Sequence, residues 1–555
     1  MMRALAACAV VAALAPPAGA EVPRPRLVLV LAVDQLRPDR LDAAFPGGLG
    51  RLVREGRWFV DGALAHAMTE TCPGHATMLT GRHPAALGIP ANEFFSEDPE
   101  RGDAVYCAFD PSPTAREIGG ETGLSPAAVR GDALGDWLKR ASPGSRVFAV
   151  SGKDRGAIMM AGQHPDGVYW FRAGTPPRFT TSLYYQTALP PWVETWNGTA
   201  APANGFLAAL PERWEHGPTP EARTADDYAG ESTRTSRTSP HPLRSNDLAL
   251  FSEQLFLSPY LDDVTLDFAR TLVEQEDLGR GPATDLLAIS LSATDSVGHL
   301  FGPFSQESTD ALHRLDAALA RFLDALEART GGALVVALTA DHGVLPLPET
   351  LAANGEMVCP NRSGRIGIRR IGLGMLTRLW WSLGPRFRPR NWLHFASSQA
   401  RVDRALARRQ GVPVERAVAI VKAYLDGTGL LHAWTAQEIA SGEGELAELY
   451  RHSFVPERSG DFVLQTARGC LLSTFDTGTS HGSPWDYDRR VPLLLRGRGI
   501  EPGRIPGPAA TIDLGPTLAA LLGVPAPNDL DGRPLPLTGG APGRGAALKR
   551  DAPTP

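Results

Sequence analysis

Four hydrophobic segments that each end in a polar or acidic cluster constrain the fold most strongly. They lie at residues 26–34 (Arg-Leu-Val-Leu-Val-Leu-Ala-Val-Asp), 145–151, 285–291 and 333–339. Continuous β-branched and leucine-rich runs of this length are typical of parallel strands buried on both faces. Helical patterns lie between them, as at residues 308–329, where apolar residues recur at helical spacing. We therefore predict an α/β fold with a doubly wound, mostly parallel sheet flanked by helices, whose ligands bind outside the carboxyl ends of the strands.

The length allows three or four domains of ordinary size or one large domain with insertions, and the composition is that of a globular chain. Of 555 residues, 43% are hydrophobic and 21% are charged, which excludes fibrous and wholly disordered chains. The formal net charge is −6 and no long basic run occurs, so we expect no nucleic acid as a structural partner. We predict an α/β domain at 24–535, closed by a strand at 491–495 and a helix at 512–522. Segments at about 172–245 and 346–470 break the strand–helix alternation and are interpreted as insertions that cap the sheet.

The two ends of the chain indicate processing and export. Residues 1–20 contain Arg3, an apolar run and the small-residue site Ala18-Gly19-Ala20, so we predict a signal peptide cleaved after Ala20 and export to the periplasm. No later apolar run is long enough to span a membrane, so stable membrane insertion is not expected. Residues 538–555 are rich in Gly and Pro and are predicted to be disordered. The sequence does not determine the oligomeric state.

Four cysteines remain after this cleavage: Cys72, Cys107, Cys359 and Cys470. Their spacings match no zinc-finger pattern, and an exported protein permits disulfides. Three pairings are possible, and the sequence does not choose among them.

Acidic and histidine side chains lie at the predicted strand ends or near the return of the chain to the core. They are Asp34, Asp295, His299, Asp341, His342 and His481. A lone strand-end aspartate is more often a helix cap, and a lone histidine is more often a satisfied core or surface residue. Six together, with carboxylates and imidazoles in equal number and no thiolate, favour a pair of zinc-like ions. Asp295 and His299 are four residues apart, so one helical turn would direct both at one ion.

A second motif, Thr-Glu-Thr-Cys-Pro-Gly-His-Ala-Thr-Met-Leu-Thr-Gly at residues 69–81, contains a candidate nucleophile. Thr71 precedes Pro-Gly and a predicted helix, so it would lie at a helix N-terminus that favours an anion. A metal ion on its hydroxyl would lower the hydroxyl pKa and make Thr71 a nucleophile. The alternative is that Thr71 only caps the helix.

Together these residues resemble the alkaline phosphatase superfamily, in the branch that joins nucleotide pyrophosphatase/phosphodiesterases with PafA-like alkaline phosphatases. The resemblance extends from about residue 26 to 535. It implies that one zinc ion is held by Asp34, Asp341 and His342 and contacts Thr71, and that a second is held by Asp295, His299 and His481. It further implies that one ion activates Thr71, that the other stabilises the leaving oxygen, and that water hydrolyses a phosphothreonine intermediate.

Three further residues bear on the substrate class. Lys153 and Arg155 are two residues apart in what we predict to be an extended segment, so both cations would leave on one face and meet one phosphate. A monoester dianion uses both cations better than a diester does. This element looks like the Lys-x-Arg of PafA-like monoesterases, and Asn92 matches an asparagine that donates to a phosphoryl oxygen. The predicted function is therefore that of an exported zinc-dependent phosphomonoesterase, an alkaline phosphatase acting on small-molecule phosphate esters.

The main alternative is a phosphodiesterase or nucleotide pyrophosphatase that uses the same metals. Phe94, Phe95 or tryptophans of the insertions would then form a slot for the second ester group. A sulfatase is disfavoured because Cys72 is followed by Pro-Gly-His instead of the Cys-x-Pro-Ser-Arg pattern. Export and the histidine-rich set argue against a phosphoglycerate mutase. A non-catalytic phosphate or metal scavenger would show stoichiometric binding without turnover.

Overall fold

A nine-stranded sheet forms the centre of the fold in the computed structural model, which describes residues 24–199, 205–384, 392–473 and 475–539. The strands, in chain order, are β1 Leu27–Val33, β2 Arg57–Ala63, β3 Glu93–Phe95, β4 Ala104–Tyr106, β5 Val147–Ser151, β6 Gly167–Arg172, β7 Arg178–Thr180, β8 Arg213–Trp214, β9 His241–Pro242, β10 Asp285–Leu291, β11 Leu334–Thr339, β12 Arg365–Gly367, β13 Leu393–Ala396, β14 Gln399–Val402, β15 Leu431–Thr435, β16 Phe462–Thr466, β17 Leu471–Ser473, β18 Leu494–Gly497 and β19 Gly503–Ala510.

The sheet order is β19-β2-β18-β11-β1-β10-β5-β6-β7. Strands β11, β1, β10, β5 and β6 run parallel to one another, and β19 runs parallel to β2. Strand β18 is antiparallel to both of its neighbours, and β7 is antiparallel to β6. The predicted mostly parallel, doubly wound sheet is confirmed.

Helices cover both faces of this sheet. In chain order they are α1 Gly48–Glu55, α2 Thr71–Thr80, α3 Pro84–Leu87, α4 Leu134–Ala141, α5 Asp154–Ala161, α6 Pro191–Asn197, α7 Leu248–Phe256, α8 Tyr260–Gln275, α9 Ala293–Phe301, α10 Gln306–Thr330, α11 Pro348–Ala353, α12 Ile368–Leu383, α13 Arg404–Gln410, α14 Val414–Gly427, α15 Ala436–Ser441, α16 Glu445–Ser453, α17 Asp486–Arg489 and α18 Leu514–Leu522. The helical pattern at 308–329 corresponds to α10, which Ser305 caps by accepting from Ser308 N at 3.0 Å.

Strand β1 shows why the hydrophobic runs are continuous. Every one of its residues is buried. Leu27, Leu29, Leu31 and Val33 pack into the apolar cluster on one face of the sheet, while Val28, Val30 and Ala32 pack into the cluster on the other face. Because successive side chains of a strand point to opposite faces, a strand covered on both sides needs apolar residues at every position. Each fully buried Leu or Val contributes about 1.5–3 kcal/mol.

The strand predicted at 491–495 is shifted. Strand β18 begins at Leu494 and ends at Gly497. Val491 and Leu493 are also buried, but they precede the paired segment. Hydrophobicity therefore identified buried chain here, while the hydrogen-bonded strand begins three residues later.

The two segments predicted as insertions have different structures. The first contributes β7 to the edge of the central sheet, then α6 and the short β8–β9 ribbon. The second contains a separate antiparallel sheet of order β13-β14-β16-β15 with its own apolar cluster. The sequence did not indicate these strands, because they are only four or five residues long and lie among helices.

Two disulfides select one of the three possible cysteine pairings. Cys72 of α2 pairs with Cys107, and Cys359 pairs with Cys470. The first ties α2 to the loop after β4, and the second closes most of the second insertion into one loop.

The predicted signal peptide at 1–20 and residues 540–555 of the predicted tail lie outside the described residues. Within the described part of the chain, no helix combines the length and apolar character needed to cross a membrane.

Candidate active site and metal centre

The parallel strands end at one level and thereby gather the predicted acids. In the register of the sheet, Val33 pairs with Leu291, and the neighbouring pair Ala32–Thr339 lies one residue before it. Asp34 follows β1 directly, Asp341 lies two residues after β11, and Asp295 lies in the first turn of α9 after β10. Their exposed fractions are 0%, 0% and 4%, so three carboxylates share a buried edge of the sheet.

Asp34 is fixed from several directions. Its Oδ1 accepts from Ser290 Oγ at 2.9 Å, and its Oδ2 accepts from Ser292 Oγ at 3.1 Å. Lys153 Nζ also donates to Oδ2, at 3.1 Å. Because both serines belong to or follow β10, the neighbouring strand sets the orientation of the carboxylate at the end of β1.

Asp341 and His342 form a second part of this edge. Asp341 Oδ1 accepts from Gln35 N and from His342 N, each at 3.0 Å. Its Oδ2 lies 3.1 Å from His342 Nε2, yet neither atom forms a hydrogen bond. Burial disfavours charge on His342, but the adjacent Asp341 outweighs burial and raises the pKa of His342 to about 9. A proton and a cation therefore compete for the position between these two side chains.

His75 belongs to the same cluster, although the sequence pattern assigns it no role. Its Nε2 lies 3.2 Å from Asp34 Oδ1, and its Nδ1 lies 3.5 Å from Asp341 Oδ2 and 2.9 Å from Thr71 O. Asp34, His75 and Asp341 form one of the groups with the spacing needed to hold a cation. The available signal was its position, four residues after Thr71 on the same helix, which places both residues on one face.

Asp295, His299 and His481 form another such group. His299 Nε2 lies 3.2 Å and His481 Nε2 lies 3.8 Å from Asp295 Oδ1. Burial, followed by the neighbouring His342 and His299, lowers the pKa of His481 well below its usual value, which favours the neutral form that metals bind. The prediction that a single helical turn brings Asp295 and His299 together agrees with their common position in α9.

Gln35 connects the two groups and was also not anticipated. Its Nε2 donates to Asp295 Oδ1 at 2.7 Å, while its backbone amide holds Asp341. The side chain packs so closely on α9 that a Cβ at Gly298 would lie 1.9 Å from Gln35 Oε1. Glycine at position 298 therefore allows the helix with Asp295 to approach the end of β1.

The histidines are oriented as metal ligands are. His299 Nδ1 lies 2.8 Å from Thr479 O, His342 Nδ1 lies 3.0 Å from Gly343 O, and His481 Nδ1 lies 2.7 Å from Thr69 O. Since a carbonyl only accepts, each Nδ1 carries a proton, so each Nε2 presents a lone pair when the ring is neutral. Backbone anchoring of this kind is the usual support of metal-binding imidazoles. Two buried atoms, Asp341 Oδ2 and His342 Nε2, form no hydrogen bond, and a bound cation would satisfy both. The residues present therefore fit divalent metal ions.

Thr71 is the first residue of α2 and is 1% exposed. The N-cap position belongs to Glu70, whose Oε2 accepts from Asn92 N and Ser397 Oγ, each at 2.8 Å. Helix α2 lies against the metal-ligand edge, since a Cβ at Gly74 would lie 2.2 Å from Asp341 O. The Thr71 hydroxyl therefore belongs to a helix turn that is packed directly on the carboxylate cluster.

Asn92 is held beside this turn. Its Oδ1 accepts from Cys72 N at 2.8 Å, which fixes the amide so that its Nδ2 group faces away from the helix amide. The side chain is half-buried. The amide group thus retains two donors next to the first turn of α2.

The prediction of an extended Lys153–Arg155 segment is wrong. Lys153 is the N-cap of α5, and Arg155 is already inside the helix. Gly152 precedes Lys153, and Asp154 lies between the two cations. Asp154 is an acidic residue in the first turn of α5, where it stabilises the helix relative to the extended conformation. The two cations therefore reach the site from a helix start and not from one face of a strand.

The two cations also have different surroundings. Lys153 Nζ donates to Asp295 Oδ2 at 2.6 Å and to Asp34 Oδ2 at 3.1 Å, so it bridges the two carboxylate groups. Burial opposes its charge, but these two carboxylates prevail and raise the pKa of Lys153. Arg155 has a buried Nε that forms no hydrogen bond, and its pKa stays above its usual value because Tyr106 and Asp154 outweigh burial. Arg155 is thus a charged, incompletely paired donor.

Comparison with known proteins gives consistent results. Residues 28–484 match the family described as type I phosphodiesterase / nucleotide pyrophosphatase. Alkaline phosphatase PhoK from Sphingomonas sp. is 34% identical over 93% of this chain and 92% of its own length. Alkaline phosphatase PhoD from Zymomonas mobilis is 32% identical over 92% of this chain and 88% of its own length.

A solved structure has the same fold. Wild-type alkaline phosphatase PafA superposes with a TM-score of 0.82 at 29% identity, covering 93% of this chain and 99% of that one. The likeness extends over nearly the whole of both chains.

Proposed function

We propose, since the chain belongs to the type I phosphodiesterase / nucleotide pyrophosphatase family, that it is an alkaline phosphatase that hydrolyses phosphate monoesters. The observation that carries the choice of monoester is the similarity to the alkaline phosphatases PhoK and PhoD over 93% and 92% of this chain. Lys153 and Arg155 would supply the two cations that a phosphate dianion uses better than a diester does.

Two zinc ions are proposed as cofactors. Asp34, Asp341, His342 and Thr71 would hold one, and Asp295, His299 and His481 would hold the other. Bound there, the ions would lower the pKa of the Thr71 hydroxyl and neutralise charge on the leaving oxygen. The carboxylates and the neutral Nε2 atoms supply the negative charge and lone pairs that such cations require.

The residues of the chain have separate tasks in this proposal. Thr71 loses its hydroxyl proton to solvent, its Oγ forms a bond to phosphorus as the bond from phosphorus to the alcohol oxygen breaks, and the released alcohol oxygen takes up a proton from solvent. Asn92 and Arg155 donate hydrogen bonds to the transferred phosphoryl group, and Lys153 adds positive charge between Asp34 and Asp295. Water then attacks the phosphothreonine, so phosphate leaves and Thr71 regains a proton.

We further propose that the protein is exported to the periplasm through a cleaved signal at residues 1–20. The Ala/Val/Leu-rich run and the Ala18-Gly19-Ala20 site support this, as do the two disulfides, which persist in oxidising compartments.

A phosphodiesterase is the second candidate, because the matched family takes its description from that activity. The two activities differ in the charge of the substrate and in the need for a slot for a second ester group. Phe94 and Phe95, the residues proposed for such a slot, are 3% and 0% exposed, and the Phe95 ring stacks under Arg401 at 4.5 Å. Their burial favours a packing role.

The deciding experiment compares kcat/KM for p-nitrophenyl phosphate and bis-p-nitrophenyl phosphate on the purified mature protein, before chelation, after chelation and after zinc is restored. We expect a zinc-restored preference for the monoester of several orders of magnitude. A preference for the diester would show that the protein is a phosphodiesterase. The proposed metal ions and the nucleophile Thr71 would be the same in that case.

A further inference from the structure

A third group of metal-ligand side chains lies where the first insertion meets the core. His241 belongs to β9, His216 follows the end of β8 by two residues, and Glu307 lies in the first turn of α10. Strands β8 and β9 pair through Trp214 and His241, which brings the two histidines to one end of the ribbon. We call His216, His241 and Glu307 the insertion cluster.

The distances within the insertion cluster match those of a tetrahedral site. His216 Nε2 lies 3.4 Å from His241 Nε2. Glu307 Oε1 lies 3.7 Å from His216 Nε2 and 3.5 Å from His241 Nε2. Ligands at about 2.0–2.1 Å from a tetrahedral zinc ion are separated from one another by about 3.3 Å. The three atoms therefore need to move by only a few tenths of an ångström to share one ion.

The two imidazoles are already oriented for this. His241 Nδ1 lies 2.9 Å from Ser236 O, and His216 Nδ1 lies 3.4 Å from Gly217 O. With a proton on Nδ1, His241 presents its Nε2 lone pair to His216 Nε2. Two ring nitrogens at 3.4 Å require a cation or a proton between them.

Glu307 has the complementary problem. It is completely buried, and neither Oε1 nor Oε2 forms a hydrogen bond. A buried carboxylate without hydrogen bonds is strongly unfavourable, and a bound metal ion would satisfy it. The insertion cluster therefore contains two lone-pair donors and one anion, and its missing component is a cation.

The surroundings close the cluster off from solvent. The side chains of both histidines are 3% exposed. The Trp214 ring lies 4.6 Å from the His241 ring, and the Phe301 ring lies 5.3 Å from it. Asp226, with Oδ1 at 3.7 Å from His216 Nε2, is a further oxygen donor on this side. An apolar wall with three or four converging ligands is typical of structural metal sites rather than catalytic ones.

We propose that His216, His241 and Glu307 bind a third divalent cation of the zinc class, which fastens the first insertion to the start of α10. Two imidazoles and one carboxylate suit zinc better than calcium or magnesium, which prefer all-oxygen sites. Phe301, which packs on His241, is the last residue of the helix that carries Asp295 and His299. The ion would therefore brace the side of the active site that the first insertion covers.

The first test is the metal content of the full mature protein, dialysed against trace zinc and measured by plasma mass spectrometry, together with a crystal structure that uses anomalous scattering at the zinc edge. We expect an anomalous peak among His216 Nε2, His241 Nε2 and Glu307 Oε1, in addition to the peaks at the sheet edge. A crystal with zinc at the sheet edge and no peak at the insertion cluster overturns the proposal. Because the two positions are distinct, failure of the active-site assignment is recognised separately.

Variants supply the second test. The double variant His216→Ala/His241→Ala, and separately the nearly isosteric Glu307→Gln, should lose one zinc equivalent and retain the zinc at the sheet edge. Zinc should then raise the Tm of these variants by several degrees less than it raises the Tm of the wild type, because only the sheet-edge ions still stabilise the native state. Unchanged zinc content in Glu307→Gln contradicts the proposal even if the double variant fails to fold.

The matched control is another close histidine pair. The rings of His83 and His452 stack at 3.5 Å, but they belong to no three-ligand group among the described residues. The double variant His83→Ala/His452→Ala should keep the zinc content of the wild type. A loss of zinc in this control would mean that the readout follows general destabilisation and not the insertion cluster, which also contradicts the proposal.

Discussion

The sheet edge and the insertion cluster use the same local device, yet they are built for different tasks. In both places a backbone carbonyl holds Nδ1 of each histidine and leaves Nε2 directed at a carboxylate. At the sheet edge the side chain of His299 remains 33% exposed, and Lys153 and Arg155 lie close by. In the insertion cluster the histidines are 3% exposed and aromatic rings surround them. Solvent exposure and neighbouring cationic side chains, rather than the type of ligand, distinguish a reaction centre from a structural metal site.

The two regions also differ in how the negative charge of their carboxylates is balanced. Lys153 lies between Asp34 and Asp295 and already neutralises part of the carboxylate charge before any ion binds. Glu307 has the two imidazoles of His216 and His241 near its Oε1 and no lysine or arginine ion pair among the described residues. The sheet edge therefore keeps a positive pole for an anionic substrate, whereas the charge of the insertion cluster is used entirely in holding its own ion.

The largest expected effect is the loss of turnover in Thr71→Ala. Removing the nucleophile should lower kcat/KM for p-nitrophenyl phosphate by about 10,000-fold or more. The zinc content should not change, because the carboxylates and imidazoles at the sheet edge remain. Steady-state kinetics and metal analysis on the same preparation measure both quantities.

Thr80→Ala is the matched control, since it removes a hydroxyl from the last residue of the same helix, where Thr80 Oγ1 donates to Ala76 O. It should keep activity within a few-fold of the wild type. If Thr71→Ala instead loses zinc and retains turnover per bound zinc, Thr71 has a structural role. The assignment of Thr71 as the nucleophile at the sheet edge would then be wrong.

The next effect is a selective loss in Arg155→Ala. Arg155 has a donor without a partner, whereas Lys153 is already paired with carboxylates, so Arg155 is the cleaner probe of substrate charge. We expect kcat/KM for the monoester to fall by about 100-fold and that for the diester by only a few-fold. Arg140→Ala, on an exposed turn of α4 where it pairs with Asp132, is the control.

Removing Lys153 together with Arg155 should enlarge the same difference. The double variant should again lose far more monoester than diester activity, and its zinc content reports whether Lys153 also stabilises the carboxylate groups. Equal losses for both substrates would mean that the two cations do not select the monoester. The positive charge near the sheet edge would then not distinguish it from the insertion cluster.

Chelation should separate the two regions in time. Because the side chain of His299 at the sheet edge is 33% exposed and those of His216 and His241 are 3% exposed, a brief treatment with a chelator should remove activity and the sheet-edge zinc while the third equivalent and most of the Tm remain. Longer treatment should remove the third equivalent and lower the Tm by several degrees. Simultaneous loss of all zinc would show that burial does not distinguish the sites.

Much of the fold and of the sheet-edge set was accessible from the sequence because it follows from period and position. A strand covered on both faces needs apolar residues throughout, as β1 shows, and its carboxyl end must lie at the ligand-binding edge. The likeness to known alkaline phosphatases over more than nine-tenths of the chain then confirmed the fold and the enzyme class. The individual ligand roles of Asp34, Asp341 and the other site residues remain predictions.

The parts that sequence reasoning missed depend on contacts between distant segments. The two-residue spacing of Lys153 and Arg155 fits a strand and predicts an extended segment, but the turn that follows β5 begins a helix. His216, His241 and Glu307 are separated by as many as 91 positions and come together only through the β8–β9 ribbon and the start of α10. No periodicity connects such residues, so their proximity requires the folded chain.

The smallest expected effect concerns Asp262, which supports the sheet edge from behind. Asp262 Oδ1 accepts from Ala293 N at 2.9 Å, at the start of the helix that carries Asp295. Burial, together with the charge of Asp34, raises the pKa of Asp262 to about 8, against an unfolded value of about 3.9. The native state therefore binds this proton more tightly, and the stabilisation present below pH 4 is lost as the pH rises towards 8.

Asp262→Asn keeps an oxygen for the Ala293 amide but cannot ionise. We expect the Tm of the variant, relative to the wild type, to increase between pH 5 and pH 8, by an amount that corresponds to a few kcal/mol at most. Thermal unfolding across this range measures the difference, with Asp267→Asn on the exposed side of the same helix as the control. A Tm difference that stays constant with pH would mean that cations at the sheet edge already offset the charge of Asp262. The negative charge of the sheet edge would then serve to bind metal, as it does in the insertion cluster. The two regions would differ only in solvent exposure.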